Sequence, residues 1–109
     1  VVIAGNGVVR MRAHDALREL CEHSGIPATP RFMGKGSVDD RSPLSLPSVG
    51  LQTRDSATSG LDQADVVICV GYDLVEIGPA AWNEKRRKRI VHLDSKPAEV
   101  DSCYVPEIE

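Results

Sequence analysis

The chain has 109 residues, 41% of them hydrophobic and 27% charged, which is the balance of one globular domain with a single core. Its formal net charge of -3 excludes the basic excess that a nucleic-acid binder uses to neutralise phosphates, and no apolar run approaches the roughly 20 residues of a membrane helix. The cysteines, Cys21, Cys69 and Cys103, are odd in number and widely spaced, which argues against a disulfide framework or a zinc site and fits a reducing cytoplasm.

Val1-Val2-Ile3-Ala4 is apolar and mostly β-branched, as a buried parallel strand requires. Gly5-Asn6-Gly7 predicts a tight turn. Ala13, Ala16, Leu17, Leu20 and Cys21 then recur at helical spacing along one face, and Gly25 stands where a helix ends in a left-handed residue. Ile26-Pro27-Ala28-Thr29 predicts a second, shorter strand. Residues 31–50 are rich in Gly, Pro and Ser without a sustained period, and predict a long loop with one helical turn at most. Residues 55–63 predict a helix with Thr53 or Asp55 as N-cap.

Val66-Val67-Ile68-Cys69-Val70 is continuously apolar, so both its faces are expected to be covered, and Gly71 ends it. Residues 79–83 suit a short helix with Pro79 at its first position. Ile90-Val91-His92-Leu93 predicts another buried strand, ending at Asp94. Residues 97–100 predict a helical turn and residues 105–109 a last strand. Unbroken apolar strands separated by helices imply an α/β fold: a parallel sheet of about five to six strands between two helical layers, joined by right-handed crossovers. The chain starts inside one predicted strand and stops on entering another, the pattern expected of a domain cut from a longer polypeptide.

Gly5-x-Gly7 lies between a strand and a helix, a context in which backbone amides can approach a phosphate. The dinucleotide fingerprint is incomplete, because Arg10 occupies the third small position and Thr29-Pro30-Arg31 replaces the ribose-binding acid. The glycines alone therefore read first as a plain strand-to-helix turn. Asp94 shares with Gly5 and Gly71 a place at the carboxyl end of a strand, where ligands of open parallel sheets collect. It reads equally as a ribose contact and as an N-cap, a role that Ser95 could also fill.

No residue reads as catalytic and none as a metal ligand. His14 and His23 fall on or beside a polar helix side, and His92 alternates with Val91 and Leu93 as a hydrogen-bonded sheet residue. Asp39-Asp40-Arg41 suits a turn or a surface ion pair. Ser56, Ser59 and Ser102 lack a nucleophile elbow. Trp82 is expected to anchor packing, and residues 85–89 form a basic run suited to a solvated connector or to contact with an acidic face of another domain.

Three stretches in order carry a resemblance: the opening Val-Val-Ile-Ala-Gly-Asn-Gly, Phe32-Met33-Gly34-Lys35-Gly36 with Pro43-Leu44-Ser45-Leu46, and residues 90–100, Ile-Val-His-Leu-Asp-Ser-Lys-Pro-Ala-Glu-Val. Together they resemble the middle domain of thiamine-diphosphate enzymes of the acetolactate synthase type, the last being similar to that family's His-Ile-Asp-x-x-Pro-Ala-Glu-Ile. Gly71-Tyr72-Asp73-Leu74-Val75-Glu76, with Pro79 and Trp82-Asn83, resembles the catabolic, flavin-independent group. The flavin group carries an Arg-Phe-Asp-Asp-Arg type sequence there, and Gly-Met-His-Gly where this chain has Val49-Gly50-Leu51-Gln52.

The resemblance implies a Rossmann-like, DHS-like NAD/FAD-binding fold over residues 1–109, the central (TPP enzyme M) domain of a three-domain, cytoplasmic, homo-oligomeric enzyme. Its reaction would convert two pyruvates to 2-acetolactate and CO2, for branched-chain amino acid or acetoin biosynthesis. Thiamine diphosphate and Mg²⁺ would be bound by the N- and C-terminal domains. The Gly-Asp-Gly…Asn motif that holds them is absent here, as is the activating glutamate. The expected partners are those domains of the same chain and further copies, with no nucleic acid or membrane. The loop of residues 31–50 would border the active-site entrance. The alternative is an FAD- or adenine-nucleotide-binding module of another thiamine-diphosphate 2-oxo acid decarboxylase or lyase, with Gly5, Asn6, Gly7, Gly71, Tyr72, Asp94 and Ser95 as its cleft; the departures from the flavin group weigh against FAD. A stand-alone NAD-using enzyme of similar fold is the third reading, disfavoured by the missing ribose acid.

Overall fold

The computed structural model describes residues 1–48, 58–75 and 77–109. Val49-Gly50-Leu51-Gln52, the N-cap candidates Thr53 and Asp55, Ser56 and Glu76 lie outside the described residues. The elements in chain order are β1 (Val2–Ala4), α1 (Asn6–Arg10), α2 (His14–Ser24), β2 (Ala28–Pro30), a 3-10 turn (Phe32–Gly34), α3 (Thr58–Gln63), β3 (Val66–Val70), α4 (Ala80–Asn83) and β4 (Arg89–Leu93).

The strands form one parallel sheet in the order β2-β1-β3-β4, as the unbroken apolar runs imply. Single parallel bridges extend it at both edges, Ser45 beside Ala28 and Ile108 beside Val91. The order is the doubly wound one, with the chain reversing direction at β1. Among the described residues the expected five to six strands are thus four, and each edge position keeps one bridge. Proline explains the short edges: Pro43 and Pro47 flank Ser45 and Pro106 precedes the other segment, so ladder donors are missing on either side.

The two faces hold separate clusters. Val8, Leu17, Cys21 and Val38 cover Val2, Ala4 and Ala28 on one. Leu61, Trp82 and Tyr104 cover Ile3, Val67, Cys69 and Ile90 on the other. The expectation that β3 is covered on both faces is half met: Val67 and Cys69 are buried, while Val66, Ile68 and Val70 are only partly so.

Two local expectations change. The single helix after Gly7 is two, broken at Arg12, which takes φ 54, while the amide of Ala13 donates to the Val8 carbonyl across the bend. Of its predicted apolar face only Leu17 and Cys21 are buried, whereas Ala16 and Leu20 are exposed. Gly25 closes α2 in the left-handed conformation, φ 69, with its amide on the Cys21 carbonyl. Residues 97–100 form no helical turn, because side chains capture the backbone instead: Asp94 Oδ1 accepts from the Lys96 amide, and Glu109 Oε1 from the Ala98 amide. Among the described residues, no helix is long and apolar enough to cross a membrane.

Candidate functional site

Because β1, β3 and β4 lie side by side, their carboxyl ends bring Gly5, Gly7, Gly71 and Asp94 together. The contact is direct. A Cβ on Gly7 would stand 2.5 Å from Gly71 Cα and 3.1 Å from Asp94 Oδ2, and one on Gly5 would collide with the Gly71 carbonyl. Gly71 itself takes φ 61, which a side chain would strain. The amides of the turn are turned inward: Gly5 donates to the Val70 carbonyl at 2.9 Å, Gly7 to the Gly71 carbonyl at 2.8 Å and Val8 to the Gly5 carbonyl at 3.2 Å. These glycines let two backbones touch, and Asn6, half-buried, opens α1 beside them.

Next to this contact an aromatic cluster fills the space over β3 and β4. Tyr72 and Tyr104 stack at 5.1 Å, and Trp82 meets them edge-on at 6.1 and 6.2 Å. Trp82 Nε1 donates to the Tyr72 hydroxyl, which donates in turn to the Ile77 carbonyl at 2.8 Å. The buried Arg31 lies 4.7 Å over the Tyr72 ring and donates from NH1 to the same carbonyl at 3.1 Å. His92 Nδ1 shares a 2.7 Å hydrogen bond with the Tyr104 hydroxyl, and Nε2 donates to the Lys96 carbonyl at 3.4 Å. Burial pushes the Tyr72 and Tyr104 phenols up from their ordinary value and the Cys69 thiol up to about 12. All three stay neutral near pH 7, so Cys69 is a core residue and not a nucleophile.

Above these rings opens a cleft of about 210 Å³. Tyr72, His92 and Tyr104 form its floor, and Leu74, Val75 and Pro97 its apolar side. Arg10, Lys96, Asp73, Asp94 and Glu99 line it too, so its charged border is of mixed sign. The mixed rim is no phosphate trap, but the floor and apolar side suit a flat ring. Asp94 Oδ1 is taken by the Ser95 hydroxyl and the Lys96 amide, each at 3.2 Å, so this carboxylate also orders its own turn. Among the described residues no group of three His, Cys, Asp or Glu is gathered as a metal would need.

Of the residues picked from sequence, Tyr72 and Asp94 lie on the cleft. Gly5, Gly7 and Gly71 are buried beside it, and exposed Ser95 donates to Asp94. Trp82 and His92 take the packing and hydrogen-bonding roles expected of them. Sequence reasoning missed Arg10, Lys96, Tyr104 and Arg31. Arg10 had registered only as a large residue in a glycine's place, and Tyr104 belongs to no motif. The one available signal for Arg31 was a charged residue closing an apolar strand.

The thiamine pyrophosphate enzyme central domain matches this chain over residues 1–109. The acetolactate synthase of Bacillus subtilis (strain 168) is 32% identical over 110 residues, 100% of this chain and 19% of that protein. A probable acetolactate synthase large subunit of Methanococcus aeolicus is 33% identical over 105 residues, covering 92% of this chain and 17% of its own. The catabolic acetolactate synthase of Raoultella terrigena is 44% identical over 96 residues, covering 84% and 17%. The chain therefore spans less than a fifth of the length of these relatives. With its parallel sheet, reversal at β1 and glycine-lined strand ends, the chain belongs to the central-domain family of thiamine pyrophosphate enzymes.

Proposed function

We propose that residues 1–109 are the central domain of a three-domain acetolactate synthase, and that this domain positions the catalytic domains without supplying a catalytic group. The observation that carries the reading is similarity to acetolactate synthases over 84–100% of this chain, whose cysteines and tyrosines are buried in packing roles. The parent enzyme would join two pyruvates, releasing CO2 and forming 2-acetolactate, with thiamine diphosphate supplying the carbanion chemistry when bound. The described residues do not fit that cofactor. They gather no metal-binding carboxylate set, and the Gly5 and Gly7 amides that could meet a diphosphate are already paired. Mg²⁺ and the diphosphate belong, on this reading, to the flanking N- and C-terminal domains, which also build the homo-oligomer. The enzyme would work in the cytoplasm, in branched-chain amino acid or acetoin biosynthesis.

Gly5, Asn6, Gly7, Gly71, Tyr72, Asp94 and Ser95 remain the candidate nucleotide cleft within this reading. The flat floor and Asp94 support an adenine and ribose there. The inward-turned amides and mixed rim speak against gripping the pyrophosphate of FAD. The test is the full-length enzyme purified without added flavin. It should consume pyruvate and yield 2-acetolactate only with thiamine diphosphate and Mg²⁺, and carry no flavin absorbance. Failure to consume pyruvate would remove the activity, and stoichiometric bound FAD would remove the flavin-independent assignment.

A further inference from the structure

The turn between α4 and β4 carries charge that the fold leaves unpaired. Residues 85–89 hold five of the chain's 13 Lys and Arg, while all 16 Asp and Glu lie elsewhere. Two of the five are engaged: Lys88 Nζ donates to the Leu61 and Ala64 carbonyls, and Arg89 pairs with Glu107 at 2.9 Å. Lys85, Arg86 and Arg87 are exposed, and among the described residues their side chains make no ion pair or hydrogen bond. The turn that presents them is pinned. Asn83 accepts from the Arg86 amide at 2.9 Å through its carbonyl and from the Lys88 amide at 3.2 Å through Oδ1, and its Nδ2 donates to the Cys103 carbonyl at 2.8 Å. Arg86 takes φ 52, a left-handed conformation that residues other than glycine seldom adopt. Three like charges are thus held side by side, at a cost in mutual repulsion that an opposite surface would relieve.

We infer that this turn docks on the outer face of α2 in a second copy of the chain. That face carries the complementary charge: Asp15, Glu19 and Glu22 follow at i, i+4 and i+7 and form one exposed acidic stripe. Of the three, only Asp15 has an ion-pair partner among the described residues, Arg18 at 4.0 Å. The dimensions agree. Seven residues of helix span about 10 Å. Lys85 and Arg87 lie at most about 7.6 Å apart at Cα, and their flexible stems widen that reach. Ala16 and Leu20, exposed beside the stripe, give the contact an apolar margin. Three cations on a chain of net charge -3 are too few to hold a polyanion such as nucleic acid. The inference rests on the homo-oligomer proposed above. Six charged side chains fall short of the roughly 20 residues a side of a self-sufficient interface, so this contact orients central domains in an assembly that the flanking domains hold. Its attraction is ionic and weakens with salt.

The test treats the full-length enzyme with a water-soluble carbodiimide, which joins a carboxyl to an amine in direct contact as an amide. Of the three cations only Lys85 has an amine. The band of doubled mass on a denaturing gel should yield a peptide joining Lys85 to Asp15, Glu19 or Glu22. In about 1 M NaCl, where the Debye length is about 3 Å, its yield should fall at least about fivefold. Charge reversal separates ionic pairing from a local disturbance. Lys85→Glu/Arg86→Glu/Arg87→Glu and Asp15→Lys/Glu19→Lys/Glu22→Lys should each abolish the link alone, and the two sets combined should restore it with the amine now on α2. No Lys85 link in that band, a link to any other part of the enzyme, or no recovery in the combined variant would overturn the inference. Sedimentation as a monomer would remove the homo-oligomer and this contact together, whereas an oligomer without the link would remove the contact alone. Neither readout depends on pyruvate turnover, so the inference and the proposed activity can fail separately.

Discussion

Gly7 has a glycine's role for a reason that its neighbours in sequence do not reveal. The pair Gly5-x-Gly7 was legible as a turn between strand and helix, and its link to Gly71 was not, since the contact joins residues 64 apart in the chain, numbers 7 and 71. The backbones on both sides are fixed by sheet and helix bonds, so neither can withdraw from an added methyl. Gly7→Ala should therefore cost about 1–3 kcal/mol of stability, the usual range for overpacking a fixed site. Gly78→Ala is the control. Nothing lies within 4 Å of a Cβ there and no positive φ is involved, so its effect should stay within about 0.5 kcal/mol. Chemical denaturation of the two variants checks the difference, and equal midpoints would mean that the crossing at Gly71 can open. The same logic explains what was unreadable at Tyr104 and Arg31, whose partners Tyr72 and His92 lie on other strands' ends.

Among elements, those with a strong local signal formed where expected: β3, β4, the glycine-capped end of α2 and the short α4 after Pro79. The described part of α3 also falls within the predicted residues 55–63, but the group that closes it was not legible. The basic run of residues 85–89 read as a solvated connector, yet Lys88 turns inward and closes α3. Its Nζ donates to the carbonyls of Leu61 at 2.5 Å, Ala64 at 2.7 Å and Asp62 at 3.3 Å. A helix of six residues has no interior to spare, and its last carbonyls need partners. Lys88→Met keeps the aliphatic stem but removes the charge-assisted donors, and should lower stability by about 1.5–3 kcal/mol. Exposed Arg87, substituted in the same way, should change it by less than about 0.5 kcal/mol. Hydrogen exchange should show faster opening of α3 amides in the first variant alone. Unchanged exchange there would show that the ammonium contributes nothing to the helix end.

For the whole molecule, apolar periodicity was enough to read a parallel α/β sheet, because unbroken strands between helices leave few other arrangements. It was not enough to read how completely each face is covered, since Ile68, Val70 and Val91 stay half-buried and Leu93 exposed in equally apolar strands. The sheet interior also sets how the fold answers to alkali. Cys69, Tyr72 and Tyr104 lie together on the face under α3 and α4, and burial holds all three in their neutral forms. In the unfolded chain a cysteine loses its proton near pH 8.5 and a tyrosine near pH 10, by about their reference values. In the fold Cys69 keeps its proton up to about 12. Across that window the unfolded state binds fewer protons than the native one, so stability falls as pH rises. Below about pH 8 the contribution is complete and independent of pH. Thermal unfolding measured from about pH 7 to 11 should therefore show a level midpoint that begins to drop near pH 8.5 and steepens near pH 10 as the tyrosines join. Cys69→Ala starts from a lower midpoint because it leaves a small cavity, but the first part of the decline should become shallower, keeping only the share of the buried Cys21 thiol that burial also raises, while the second part stays. Should wild type and variant descend in parallel from pH 8 onward, the alkaline sensitivity would belong to groups other than this buried thiol.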